Sequence, residues 1–360
     1  MRSLLGCSFE VHPVNHITQP ILLLVTCSVW ACSSLGGGGG GAENLPNRGI
    51  VPYDRLGTPD SDAPEFVIES DDPGALIYVE PHAIHTEDGE IALFVEARVP
   101  AETTGHIVRC VLDDSLQCQE VKPALMPTEG DDGAWLNQRV GAPSVVSLDD
   151  GSWLMAFAFG QGDGIGLAVS LDGQDFVLQA LPLLEPSGSY EASGIDSPSL
   201  VQTATGYRLY YEAKDDDGVT RILFADADEA LSFERMGVAL DIGTGCDDVS
   251  GQPETCWDAN GVGSPEVRVA TTAADRTVYR LFYTGYGAAG FNVGFGGSWD
   301  GERFERFVYN PVIGTEAVER QPTNLRLQDR YLLLFEERTS NTIRGIAAAI
   351  NDAPTPSEQF

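Results

Sequence analysis

The sequence predicts an all-β fold, a five-bladed β-propeller of four-stranded antiparallel blades whose ring is closed by an N-terminal strand. Three observations lead there. A motif of a small residue or an acid, then proline, an apolar strand, a Gly- or Asp-containing turn and a second aromatic-rich strand occurs five times. A third apolar strand follows each copy, and short antiparallel strands repeated at this interval build propeller blades. Forty Gly and 21 Pro among 360 residues fit a turn-rich β chain better than a helical one.

The five copies begin at Glu80-Pro81, Ala142-Pro143, Ser197-Pro198, Ser264-Pro265 and Gln321-Pro322, at spacings of 62, 55, 67 and 57 residues. Their second strands, Ile91 to Glu96, Trp153 to Phe157, Tyr207 to Glu212, Tyr279 to Tyr283 and Tyr331 to Glu336, are rich in aromatic and branched residues. The third strands are His106 to Leu112, Gly164 to Ser170, Arg221 to Ala227, Phe291 to Ser298 and Ile343 to Ile350. Two of them run into matching turns, Ser170-Leu171-Asp172-Gly173 and Ser298-Trp299-Asp300-Gly301, where Asp-Gly signals a hairpin and Phe176 and Phe304 open an outer strand. After the last third strand only a tail from Asn351 to Phe360 remains. The fourth strand of blade five is therefore expected from Glu65-Phe66-Val67-Ile68-Glu69, joining the two ends of the chain.

Ahead of the repeats, the apolar run Ile21 to Val29 is too short to span a bilayer and reads as the core of a secretory signal. Val29-Trp30-Ala31-Cys32 resembles a bacterial lipobox, which would make Cys32 the lipidated first residue of the mature protein; plain secretion or a different start are the other readings. The expected organisation is a signal peptide over 1–31, a lipidated Gly-rich tether over 32–64, the propeller over 65–350 and a tail over 351–360. Cys7 and Cys27 fall in the removed segment, leaving Cys110 with Cys118 and Cys246 with Cys256 as two local pairs. In an extracytoplasmic compartment each pair is expected as a disulfide. Only His82, His85 and His106 lie beyond the signal, so no zinc site is expected.

With 21 Lys+Arg against 54 Asp+Glu, a formal net charge of −33 argues against nucleic acid and anionic membrane surfaces as direct partners. Contact with a membrane is expected only through the lipid anchor. The hydrophobic share of 42% suffices for a packed core, so this is not an acidic disordered chain. A monomer is expected.

The Pro-led inner strands, the aromatic second strands and the ending Ala168-Val169-Ser170-Leu171-Asp172-Gly173 together resemble the five-bladed propellers of the arabinanase, β-xylosidase, invertase and levansucrase superfamily, which includes glycoside hydrolase families 43 and 32. Two mutually similar segments, Glu191 to Leu200 and Asp258 to Val267, fit the same pattern. The resemblance covers residues 65 to 350 by shape and repeat rather than by any long identical stretch. It implies a carbohydrate partner and three carboxylates at the funnel mouth, one from each of the first three blades. One acts as base or nucleophile, one tunes, and one is the acid; hydrolysis of a glycosidic bond needs at least two.

Position by position, Glu80 precedes Pro81 in blade one, where the family usually has Asp. Blade two reads Gly141-Ala142-Pro143-Ser144, with no acid beside the proline. Asp196 stands two residues before Pro198, an offset at which the family often has Glu. Glu266 follows Pro265 and is an alternate acid, while Glu319 and Arg320 precede the last motif. Glu80, Asp196 and Glu266 are thus the candidate catalytic residues. Each also has a plain structural reading, as a solvated strand end for Glu80 and Glu266 or a turn cap for Asp196.

Glu96 and Arg98, Glu212 and Lys214, and Glu336 and Arg338 each stand two apart at the end of a second strand, so each pair shares a face. They read either as sugar-binding groups in a polar pocket or as ion pairs stitching blades together. The candidate sugar-contacting residues are His82, Glu96, Arg98, Glu212, Asp258, Glu319, Arg320 and Glu336. Asp215-Asp216-Asp217-Gly218 reads as a hairpin turn rather than a calcium loop. No cofactor is expected, with room left for a structural Ca2+. Trp135, Tyr190, Trp257 and Tyr286 could stack on sugars or anchor loops. Two functions follow, a surface-tethered glycoside hydrolase or an inactive propeller that binds a glycan or a protein. A sialidase-like propeller is a weaker third, since the Ser-x-Asp-Gly turns are one residue short of an Asp-box and the repeats number five.

Overall fold

A computed structural model of the protein describes residues 53–57, 66–69, 76–99, 104–127, 139–243, 257–272, 275–287, 290–307, 310–313, 318–328, 330–338 and 344–352. The expected signal and lipobox with Cys32, the expected pair of Cys246 with Cys256, and Trp135 lie outside the described residues. Two short strands, β1 (Asp54–Arg55) and β2 (Ile68–Glu69), come first. Blade one is β3 (Ile77–His85), β4 (Ile91–Arg98), β5 (Gly105–Leu112) and β6 (Cys118–Leu125). Blade two is β7 (Val140–Ser147), β8 (Trp153–Phe159), β9 (Gly164–Ser170) and β10 (Val177–Leu178). Blade three is β11 (Ile195–Thr203), β12 (Gly206–Lys214), β13 (Thr220–Ala227) and β14 (Glu234–Leu240). Blade four is β15 (Gly261–Thr271), β16 (Thr277–Gly287), β17 (Gly290–Ser298) and β18 (Glu305–Arg306). Blade five is β19 (Val318–Arg326), β20 (Arg330–Arg338) and β21 (Arg344–Asp352).

Within each blade, successive strands pair antiparallel. The inner strands neighbour one another in the cycle β3, β7, β11, β15, β19 and back to β3, which closes a ring of five. One parallel pairing, Thr220 with Gly261, joins the sheets of blades three and four.

The outer strand of blade five comes from the N-terminal side, in two pieces. Ile68 and Glu69 pair with Ile346 and Gly345, as the sequence leads one to expect. Asp54 and Arg55, inside the stretch expected as tether, pair with Ile350 and Ala349. Val67 N donates to the Ile346 carbonyl at 2.7 Å, Phe66 is buried over Gly345, and Arg55 holds Glu337 at 2.6 Å. Cys118 N donates to the Val67 carbonyl, so the closing segment also touches blade one, whose β5 and β6 are joined by the Cys110–Cys118 disulfide.

The core is distributed between blades. Phe94, Trp153 and Phe157 lie in the cluster between blades one and two; Leu154, Leu209 and Tyr211 lie between two and three. Tyr210, Leu281 and Phe304 lie between three and four, Phe282, Phe295 and Phe335 between four and five, and Leu93, Leu334 and Ile346 between five and one. The aromatic second strands are buried because each blade is covered on its two faces by its two neighbours.

The repeated proline marks a shared break in every inner strand. Pairing between inner and second strands shifts register at Val79/His82, Gly141/Ser144, Asp196/Ser199, Gly263/Glu266 and Arg320/Thr323. The residue before each proline is left-handed: Glu80, Ala142, Ser197, Ser264 and Gln321 have φ of 54°, 45°, 47°, 46° and 55°. A non-glycine residue there costs on the order of 1–3 kcal/mol, and a bulge that re-aims one side chain is where such strain is found. The residue after each proline reaches the next blade instead. Ser144 Oγ accepts from Leu200 N at 2.9 Å, Ser199 Oγ from Val267 N at 2.9 Å and Thr323 Oγ1 from Ala83 N at 3.1 Å.

Candidate functional site

Ala142 of blade two lines only a narrow axial space, whereas the other four bulges aim the residue before their proline toward one end of the axis. There, Glu80, Ser197, Ser264 and Gln321 join Arg98, Thr104, Arg139, Gln161, Asp196, Glu212, Tyr286 and Arg320 around a polar cavity of about 460 Å³. Below it the five prolines narrow the axis to a space of about 30 Å³.

Arg139, one residue before β7, occupies the centre of the charged groups. Its guanidinium donates to Glu80 Oε2 at 3.0 Å, Glu96 Oε2 at 2.7 Å and Asp196 Oδ2 at 2.8 Å, binding blades one and three to blade two. These three carboxylates hold it firmly protonated despite its burial. Blade two lacks an acid beside its proline, and this cation four residues upstream of Pro143 stands among the acids of its neighbours.

Glu80 accepts on both oxygens, from Arg139 and from Gln321 Nε2 at 2.7 Å. Burial pushes its carboxyl well above the usual range, Arg139 opposes that, and Glu96 and Asp196 add to the rise. Asp196 also accepts on both oxygens, from Arg139 and from Ser197 N at 2.7 Å, so it caps the turn as well as facing the cavity. Glu212 lies beside Asp196 in the β11–β12 pairing. Burial and Asp196 push its carboxyl up to about 7, while hydrogen bonds from Tyr286 and Ser264 pull the other way.

Other expected site residues are placed elsewhere. Glu266 follows its proline rather than preceding it, so strand alternation turns it away from the large cavity into the narrow axial space. There it meets Arg268 at 2.5 Å, His82 Nδ1 at 3.4 Å and Thr323 Oγ1 at 3.1 Å. Burial alone would raise the Glu266 carboxyl, but Arg268 and His82 hold it below its ordinary value. His82 is buried, with Nε2 at 2.9 Å from the Val145 carbonyl, and serves to join blades one and two. Asp258, 2% exposed, is taken up by Arg306 at 2.7 Å and Tyr283 Oη at 3.2 Å. Glu319 is wholly buried and does not line the cavity.

The charged pairs on the second strands divide between the two readings. Arg98 and Glu212 line the cavity. Glu96, wholly buried, is an inter-blade ion pair with Arg139, and Glu336 pairs within blade five with Arg320 at 2.8 Å, which brings Arg320 to the cavity rim. Tyr286 is a wall residue whose hydroxyl donates to Glu212, and Trp257 packs on Tyr283 in the core. Arg139 carries no motif of its own; the one hint in the sequence is a lone arginine ahead of the acid-free blade.

No family model and no curated protein matches the sequence. Solved structures do match its fold. A complex of BT0996 with RGII superposes with a TM-score of 0.65 at 13% identity, over 87% of this protein and 95% of that one. A thermostable family-43 glycoside hydrolase gives 0.56 at 13% identity, over 79% and 91%. An α-L-arabinofuranosidase from Lactobacillus brevis gives 0.53 at 13% identity, over 77% and 91%. At this identity the likeness is one of fold, a propeller shared with glycoside hydrolases.

Proposed function

We propose that this protein is an extracytoplasmic carbohydrate-active propeller that binds an oligosaccharide or polysaccharide at the funnel mouth and hydrolyses a glycosidic bond. One observation carries the reading: Glu80 from blade one and Asp196 and Glu212 from blade three line a single polar cavity on the axis. Glycoside hydrolysis needs a carboxyl to protonate the leaving oxygen and a carboxylate to activate water or attack the sugar. Glu80 and Asp196 each receive two N–H donors, and Glu80 is taken as the base or nucleophile, with the Arg139 cation opposing the rise that burial imposes on its carboxyl. Asp196, expected as the acid, accepts from Arg139 at 2.8 Å and is better suited to orienting that cation and stabilising positive charge on the sugar ring. Arg98, Arg320, Gln161 and Gln321 supply polar contacts for sugar hydroxyls. The family-like fold and the Cys110–Cys118 disulfide support an oxidising, extracytoplasmic setting. Lipidation at Cys32 and a monomeric state complete this proposal.

A second reading, glycan binding without turnover, is favoured by Arg139, which occupies both candidate carboxylates at once. The test is hydrolysis of arabinan, xylan and fructan, and of aryl furanosides and xylosides, by the wild type, Glu80→Gln and Asp196→Asn. Turnover that falls at least about 100-fold in both variants supports hydrolysis. Binding of these glycans with no turnover by the wild type supports the second reading.

A further inference from the structure

We propose that Glu212, from the second strand of blade three rather than from a proline-led inner strand, is the proton donor of this site. The proposal rests on the hydrolase reading and completes it, since that reading lacks a carboxyl placed to give a proton away. Among the cavity carboxyls, Glu80 and Asp196 each accept hydrogen bonds on both oxygens. Glu212 differs. Ser264 N at 3.1 Å and Tyr286 Oη at 3.0 Å both donate to Oε2, leaving Oε1 with no donor among the described residues. A carboxylic acid needs one oxygen free to carry and aim its proton, and Oε1 of a residue that lines the cavity meets that need.

The position is built in. A β-carbon on Gly263 would stand 1.9 Å from Glu212 Oε2, so the glycine makes room for a carboxyl that crosses from blade three to blade four. Asp196 from β11, Tyr286 from β16 and Arg320 from β19 face it, with Glu80, Arg98 and Arg139 farther round the rim; Lys214 on its own strand is exposed. Burial raises the carboxyls of both Glu80 and Glu212 in this crowded set, but both oxygens of Glu80 are taken by N–H donors, so the free Oε1 marks Glu212 as the one that can give its proton away.

The step balances. The proton on Glu212 Oε1 passes to the glycosidic oxygen as the bond from that oxygen to the anomeric carbon breaks and its electron pair stays with the leaving oxygen. A water gives a proton to Glu80 as its oxygen bonds to the anomeric carbon, and the proton on Glu80 returns to Glu212 through solvent.

The experiment uses the purified full-length protein and paired aryl glycosides, phenyl as poor and 2,4-dinitrophenyl as good leaving group, on arabinofuranose and xylose. Glu212→Gln is expected to lower kcat on phenyl glycosides at least about 100-fold and on dinitrophenyl glycosides less than about 10-fold, because only the poor leaving group needs the proton. The fall of wild-type kcat as pH rises through about 7 is expected to vanish in the same variant. Tyr286→Phe removes a hydrogen bond to the ionised form and is expected to move that fall to higher pH. Equal losses on both leaving groups, or an alkaline limb unmoved in both variants, would overturn the donor role while hydrolysis stands. A wild type inactive on every substrate, polysaccharides included, overturns the hydrolase reading and the donor role with it.

Discussion

Arg139 Nη1 donates to Asp196 Oδ2 at 2.8 Å, and this bond ties blade two to blade three across the funnel. The same guanidinium holds Glu80 and Glu96, so one cation sits among three carboxylates of two flanking blades. Removing it leaves buried charges uncompensated, which typically costs about 3–5 kcal/mol. Arg139→Met is expected to lose that much at pH 8. The loss shrinks toward pH 5, because without the cation the carboxyl pKa values rise in the folded state and protonation relieves the repulsion. Urea unfolding at the two pH values is the check; an equal loss at both contradicts an electrostatic role. Arg139→Lys is expected to restore less than half of it, since an ammonium lacks the planar fork that serves three partners.

Gly141 and Gly263 occupy equivalent places, one residue before the bulge in blades two and four. A β-carbon at either would stand 1.9 Å from a carboxylate oxygen of the preceding blade, Glu96 at Gly141 and Glu212 at Gly263. Glu96 is locked by Arg139 and has nowhere to move, so Gly141→Ala is expected to cost about 3 kcal/mol through overpacking and ion-pair disruption. Glu212 has the cavity beside it, and Gly263→Ala should cost less in stability, about 1–2 kcal/mol, while lowering any turnover. Thermal unfolding of the two variants gives the order; the reverse order would show that Glu212 is the more confined side chain.

The Cys110–Cys118 disulfide closes a loop with a sequence separation of 8 between β5 and β6, beside the segment that shuts the ring. A loop this short restrains the unfolded chain modestly, by about 2 kcal/mol. The double variant Cys110→Ser with Cys118→Ser is expected to lose about that amount by chemical denaturation and to keep its fold, because the closing strands still pair with β21. Loss of cooperative unfolding in the double variant would show that the bond is needed to shut the ring.

What could be seen in the sequence and what could not separate along one line, the range of the interactions. Alternating apolar residues and a recurring proline-led motif are local, so the inner, second and third strands and the blade count follow from them, as does Phe66 to Glu69 as a closing strand. Asp54 and Arg55 form only a two-residue strand, too short to show a period. Arg139 meets partners 43, 57 and 59 residues away, and Glu212 meets Ser264 and Tyr286 at 52 and 74. No spacing announces such contacts. The left-handed positions are hidden for another reason: Glu80, Ala142, Ser197, Ser264 and Gln321 are not glycines, and only the ring as a whole holds them there. Glu266 reads as a mouth residue from its nearness to Pro265, yet a one-residue offset across the proline sends it to the axial ion pair with Arg268.

The folded-state carboxyl of Glu212 is raised from 4.5 to about 7. Between those values the folded protein holds a proton that the unfolded one has released, so this residue's contribution to stability falls as pH rises through that window. The full shift would be worth 1.36 kcal/mol per unit, and screening by cavity water brings the expected contribution to about 2 kcal/mol. Glu212→Gln keeps the shape and the amide oxygen for Tyr286 and Ser264 but cannot ionise. The variant is therefore expected to match the wild type near pH 5 and to exceed it by about 2 kcal/mol at pH 8.5, measured by denaturant midpoints at constant slope. A variant no more stable than the wild type at pH 8.5 would mean that Glu212 is ionised at little cost, and the cavity would then have to keep its proton on Glu80.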